Sequence, residues 1–307
     1  MYTKYFGFSE KPFNLTPNPR YLYLSKHHRE AFAHLLYGIN NRYGFIALTG
    51  EIGTGKTTVL RTLLTQLKDD QYRTALIFNP CLSGIELLRT INQEFGIPSR
   101  SDQVNELLSV LNRFLLAQNA AKKTVVLVID EAQNLKPEVL EQIRLISNLE
   151  TQSEKLIQIV LAGQPELDEL LQRNELRQLN QRIAVRYRLR PMSLKETHDY
   201  IIHRMEVAGN AGGAVFSKSA LKLIYLNTGG VPRLINVLGD RCLLISYGEE
   251  KRKVSTRIAA TACKELVQQQ GGSSPLSING ILTGLVIGLA ILMIVILVLS
   301  KVKGGLP

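Results

Sequence analysis

The chain has 307 residues and a mass of 34.3 kDa, enough to bury a large core with a smaller domain beside it. With 45% hydrophobic and 21% charged residues it is an ordinary globular protein, and its three scattered cysteines (Cys81, Cys242, Cys263) exclude a disulfide framework or zinc site and point to a reducing compartment. The net charge of +11 admits a nucleic acid, an anionic membrane surface or a polyanionic ligand as partner without choosing among them.

The opening residues, MYTKYFGFSEKPF, contain no apolar stretch of the kind a secretory signal peptide needs. From residue 45 to residue 190, short apolar runs alternate with helical patterns. FIALT (45–49), TALIFN (74–79), TVVLVI (124–129), LIQIVLA (156–162) and AVRYRL (184–189) read as strands covered on both faces. Ser83 and Glu86 read as a capping box and Pro137 as a first helical residue. Repeated strand–helix–strand units imply a parallel α/β sheet with helices on both sides.

The first strand runs into Gly50-Glu51-Ile52-Gly53-Thr54-Gly55-Lys56-Thr57, which matches G-x-x-x-x-G-K-[ST] and opens the helix TTVLRTLLTQL, beginning with Thr57 and Thr58. Such glycines let the backbone curl so that N–H groups point at phosphate oxygens, and the helix N-terminus adds positive potential. Lys56 is placed to reach the terminal phosphates of ATP and Thr57 to ligate Mg²⁺. The third strand ends in Asp130-Glu131. Asp130 suits the same Mg²⁺, directly or through a water, and Glu131 suits polarising the attacking water. The five histidines (His27, His28, His34, His198, His203) form no ligand set with the cysteines and read as surface or core residues.

After Arg190-Pro191 the strand signal stops. Ser193 and Glu196 read as another capping box, and residues 191–270 read as several short helices broken at Gly209, Gly212-Gly213, Gly229-Gly230 and Gly248. Residues 271–277 are a polar linker. From Ile278 to Leu299 the chain is uncharged and almost wholly apolar, about 33 Å as a helix, so residues 278–300 are expected to span a membrane, with 301–307 as a short tail. Gly280, Gly284 and Gly288 place small residues on one face of that helix, where another helix could pack closely. Basic residues on the two sides do not decide orientation; a site that needs cytosolic ATP places residues 1–270 in the cytoplasm.

The phosphate-binding loop, Asp-Glu-Ala-Gln-Asn (130–134) and Gly230-Val-Pro-Arg233-Leu-Ile-Asn resemble AAA+ ATPases. FGFSEKPFNLTPNPRYLYLS (6–25), RLISNLET (144–151), LAGQPEL (161–167) and LNQRIAVRYRLRPMS (179–193) resemble the general secretion pathway protein A (ExeA-type) family and its relatives in MSHA-type pilus biogenesis. The resemblance covers roughly residues 2–265. It implies residues 1–44 as the start of the AAA+ module, 45–190 as a five-stranded P-loop core in 5-1-4-3-2 order, and 191–270 as a helical lid. It also implies a homo-oligomer. By the same resemblance Gln164 corresponds to the sensor of the γ-phosphate, or to a plain turn residue. Arg182 corresponds to the arginine finger, with Arg177 and Arg186 as competitors. Arg233 corresponds to the second sensor that contacts nucleotide, and Asn18–Leu24 to a segment beside the adenine.

Longer family members continue into a periplasmic region that engages peptidoglycan. This sequence ends seven residues after Ser300, so peptidoglycan binding is not carried over. The expected function is a membrane-anchored ATPase, in the bacterial inner membrane, that builds a secretion or pilus machine with envelope partner proteins. Two alternatives remain: a DNA-associated regulator like transposon target-selection ATPases, and a nucleotide-gated scaffold that hydrolyses little.

Overall fold

The computed structural model describes residues 1–269, apart from 17, 68–69, 79–80, 99–100, 152–153 and 210–214. The chain divides into two compact units, Met1–Ala260 and Thr261–Pro307. The expected linker (271–277), membrane span (278–300) and tail (301–307) lie outside the described residues. Among the described residues, no helix is long and apolar enough to cross a membrane.

Five strands, β1 (Phe45–Gly50), β2 (Tyr72–Ile77), β3 (Thr124–Ile129), β4 (Ile157–Gly163) and β5 (Ile183–Leu189), form one parallel sheet in the order β2-β3-β4-β1-β5. That is the expected 5-1-4-3-2 arrangement. Helices α1 (Tyr2–Phe6) and α2 (Lys26–Asn40) precede β1, and α3 (Lys56–Gln66) follows it. Next come α4 (Gly84–Glu94), α5 (Val104–Ala120), α6 (Pro137–Ile146), α7 (Pro165–Leu171) and α8 (Arg177–Arg182). Successive side chains of a strand point to opposite faces. Accordingly Ile46, Leu48, Val126, Val128 and Val160 pack with α2 and α3, while Phe45, Ala47, Leu127, Ile129 and Ile159 pack with α4 to α7.

The capping boxes at Ser83–Glu86 and Ser193–Glu196 and the first-turn Pro137 are present. Coverage on both faces holds for β1 and β4 and fails at the sheet edges. In β5, Ile183, Val185 and Leu189 are buried while Ala184, Arg186 and Arg188 are exposed, because only one face meets α2. The second strand lies two residues earlier than expected, and Asn79 lies outside the described residues.

Beyond β5 the chain is helical: α9 (Leu194–Val207), α10 (Lys218–Thr228), α11 (Pro232–Gly248) and α12 (Thr256–Gln269). Gly209, Gly229 and Gly248 mark helix ends as expected, and Gly212-Gly213 lie outside the described residues. The helices are not all short. The 17-residue α11 passes through Gly239, where an added Cβ would stand 3.0 Å from the Phe13 ring. Residues before α2 pack against this helical part rather than the sheet: Tyr2 donates to Asp240, and the Ser9 hydroxyl donates to the Ala208 carbonyl at 2.8 Å.

Gly230 joins β5's exit to α11. It has φ +78°, accepts a hydrogen bond from Met192 N at 3.0 Å, and a Cβ there would lie 1.9 Å from the Met192 carbonyl oxygen. Both the backbone angle and the close approach require glycine. Gly230→Ala is therefore expected to destabilise the fold by about 3 kcal/mol or more. Thermal unfolding without nucleotide checks this, and an unchanged Tm would show that the contact relaxes freely.

Candidate nucleotide-binding site

β1 ends in a loop whose shape depends on three glycines. Gly53 and Gly55 have φ of +79° and +103°. A Cβ at Gly50 would come within 2.9 Å of the Leu189 carbonyl, at Gly53 within 2.6 Å of Arg233 Cβ, and at Gly55 within 2.5 Å of His28 Nε2. Thr54 is buried and its hydroxyl ties the loop by donating to Glu51 O at 2.8 Å. The exposed Glu51 also faces Arg188 at 3.7 Å. No side chain caps the first turn of α3, so its leading N–H groups are left to an external acceptor.

Lys56 is buried and its ammonium donates to the carbonyls of Gly50 (2.6 Å) and Glu51 (3.2 Å). Burial lowers its pKa from the usual lysine value, opposed by the charges of Glu131 and Asp130. The Thr57 hydroxyl donates to Asp130 Oδ2 at 2.9 Å, and Glu131 N donates to Asp130 Oδ1 at 3.0 Å. Asp130 is buried, which pushes its carboxyl above the ordinary range; Thr57 and the Glu131 N–H pull the other way. A hydroxyl beside a desolvated carboxylate, with an uncapped helix start and a lysine above, is an oxygen-donor set that fits Mg²⁺ and a triphosphate.

Glu131 sits at φ 55°, ψ 38°, a left-handed conformation unusual for a non-glycine residue. Its Oε2 accepts from the amides of Gln133 at 2.6 Å and Gln164 at 3.2 Å. Gln133 also accepts from Gln164 N at 3.1 Å, and Gly163 leaves room for it, since a Cβ there would meet Gln133 Oε1 at 2.7 Å. Burial raises the Glu131 carboxyl, but the two amides and the nearby Lys56 charge outweigh it and hold the group below the ordinary glutamate value.

These side chains open onto a cavity of about 900 Å³. Ile52, Gly53, Gly55, Lys56, Thr57 and Thr58 line one wall, with Glu131 and Gln164 beside them. Arg233, in the first turn of α11, faces Gly53, its N–H directed at the Gly53 carbonyl at 3.4 Å. Asn18, Pro19, Tyr21, Leu22 and Tyr23 line the far side. The cavity thus gathers residues separated by more than two hundred positions in sequence. Gly50, Glu51 and Thr54 shape the loop, and Asp130 backs Thr57. Arg182 is not among the lining residues; it donates to Ser147 Oγ at 3.2 Å and to Asn148 Oδ1. Arg177 is exposed, and Arg186 is in β5 and donates to Asn180.

Sequence reading gave Gln133 and His28 no part in the site. His28 is the N3 residue of a capping box begun by Ser25, an unusual histidine variant that no Ser-x-x-Glu pattern reveals. Its Nδ1 lies 2.6 Å from Ser25 Oγ and its Nε2 2.9 Å from the Thr54 carbonyl. Burial lowers its pKa and favours the neutral ring, so α2 buttresses the phosphate loop through an imidazole.

Residues 39–171 match the family described as an AAA domain. The chain is 48% identical over 255 residues, 83% of its length, to General secretion pathway protein A of Aeromonas hydrophila; it spans 46% of that protein's own length. In fold it is similar to Cdc6p from Pyrobaculum aerophilum, with a TM-score of 0.63 at 21% identity, covering 83% of this chain and 70% of that one. The Aeropyrum pernix ORC2 protein, in ADPNP-ADP complexes, gives 0.62 at 16% identity, covering 84% and 72%. The Thermotoga maritima RuvB Holliday junction branch migration motor gives 0.51 at 17%, covering 79% and 70%. The chain therefore carries an AAA domain, and over most of its length it is similar to General secretion pathway protein A.

Proposed function

We propose that this chain is a membrane-anchored AAA+ ATPase that couples ATP binding and hydrolysis to assembly of an envelope machine of the secretion or pilus type. The observation that carries the ATPase reading is the meeting of Lys56, Thr57 and Glu131 in the lining of one cavity, with Asp130 behind them accepting from the Thr57 hydroxyl at 2.9 Å. Mg²⁺, when bound, would offset negative charge on the triphosphate. Thr57 and Asp130 would hold it, Lys56 would leave its loop carbonyls for the terminal phosphates, and Glu131 would orient the attacking water. Gln164 is read as the γ-phosphate sensor and Arg233 as the second sensor, on the helical lid of residues 191–270. Arg182 is read as a finger offered to a neighbouring copy.

The likeness to General secretion pathway protein A supports the secretion reading, and the apolar stretch 278–300 supports an inner-membrane anchor with residues 1–270 in the cytoplasm. Steady-state Mg-ATP hydrolysis is the test. Lys56→Ala is expected to abolish it, because a buried ammonium beside the loop has no substitute; activity equal to wild type would remove the ATPase reading. The basic excess of +11 favours a second reading, a DNA-associated regulator, which predicts DNA binding that weakens steeply with salt.

A further inference from the structure

Arg204 of α9 is 6% exposed, and among the described residues no carboxylate lies within ion-pair distance of it. A buried guanidinium without a counter-charge is costly unless its donors are satisfied. Here they are satisfied by the N-terminal strap, residues 12–16 and 18–23 ahead of α2. Nε donates to Pro12 O and Nη2 to Asn14 O (3.0 Å), while the guanidinium carbon stands 4.6 Å above the Tyr21 ring. Its Nη1 donates to the Tyr200 hydroxyl at 3.0 Å, and Tyr200 in turn donates to Asn236 Oδ1 at 2.9 Å. Asn236 is one turn beyond Arg233 on α11. The Tyr23 ring closes on Tyr200 edge-to-face at 5.7 Å.

One guanidinium thus ties the strap to α9 and, through the Tyr200 hydroxyl, to the second turn of α11. Asn14, Tyr21, Tyr200, Arg204 and Asn236 all line the cavity. Only a planar group with five fixed donors can hold acceptors on this many sides, and lysine cannot replace it.

We propose that Arg204 is a positioning residue for the nucleoside: it locks strap, α9 and α11 into the wall against which the base and sugar lie. This rests on the nucleotide reading of the cavity. Because the hydrogen bonds of Arg204 and Tyr200 run to Pro12, Asn14 and Asn236 and none of them to residues 50–58, it acts on the nucleoside and not on the triphosphate.

Binding of Mg-ATP and of inorganic tripolyphosphate with Mg²⁺ to the 307-residue chain separates the two ends of the site. Loss of a charged hydrogen-bonding hub predicts that Arg204→Met binds ATP about 10- to 100-fold more weakly. Tripolyphosphate affinity stays at the wild-type value, which a merely structural defect would not allow. Arg204→Lys is expected to behave like Arg204→Met. Tyr200→Phe, which keeps the ring and cuts only the link to Asn236, is expected to weaken ATP about 3- to 10-fold, and it decides the matter if Arg204→Met does not fold. The proposal is overturned if the folded variants bind ATP as wild type does, or if ATP and tripolyphosphate weaken together. Wild-type chain that binds neither would instead overturn the nucleotide reading itself.

Discussion

In the Glu131→Gln protein, ATP hydrolysis is expected to fall by about 10²- to 10⁴-fold while ATP binding stays within a few-fold of wild type. The Glu131 side chain is aimed into the cavity by a left-handed backbone position and clamped by the Gln133 and Gln164 amides. Glutamine keeps a carbonyl oxygen for those donors, so the clamp and the loop shape survive. What is lost is the negative charge. Because the carboxyl is held below its ordinary range, it is ionised at neutral pH and a weak base. The role expected of it is to orient and polarise water as the bond forms, not to strip a proton beforehand. Phosphate release measures the loss, and equilibrium binding of labelled ATP measures what is retained. A fall of less than tenfold would show that another group polarises the water.

The same clamp marks the boundary between what a sequence states locally and what only folding brings together. The strands were legible because each is an apolar run with a single reason to be buried. The phosphate loop was legible because its glycines, lysine and threonine are contiguous and do their work within a few residues of one another. Gln133 and Gln164 are thirty-one positions apart, and nothing in either residue announces a shared carboxylate. The edge strand β5 was read as covered on both faces because Val185, Tyr187 and Leu189 dominate its hydropathy. The arginines between them show that only one face meets a helix. His28 and Arg204 were illegible for a further reason. A buried histidine or arginine is defined by the carbonyls around it, and carbonyls leave no mark in the sequence.

Arg182→Ala is expected to cost about 10³-fold or more in hydrolysis per subunit, with ATP binding unchanged, if Arg182 acts in a neighbour's site. Its own site is out of reach. β1 and β5 are parallel, with Phe45 opposite Ile183 and Gly50 opposite Leu189. Arg182 therefore enters the sheet at the end opposite the phosphate loop, roughly 20 Å away at strand spacing, well beyond an arginine side chain. Its guanidinium is held by Ser147 and Asn148, both neutral, with the exposed Glu150 carboxylate close enough to feel its charge, so an incoming phosphate would compete with Glu150 for it. Arg186 in β5, bonded to Asn180 of the preceding α8, has a local structural task, and Arg186→Ala is expected to stay within a few-fold of wild type. A finger in trans also fixes the concentration dependence. Wild-type activity per subunit should climb as protein is concentrated, because each site needs a neighbour, and Arg182→Ala should stay flat at the low value. Flat wild-type activity together with a fully active Arg182→Ala would assign this arginine to bracing residues 147–148, and the oligomeric mechanism would lose its principal residue.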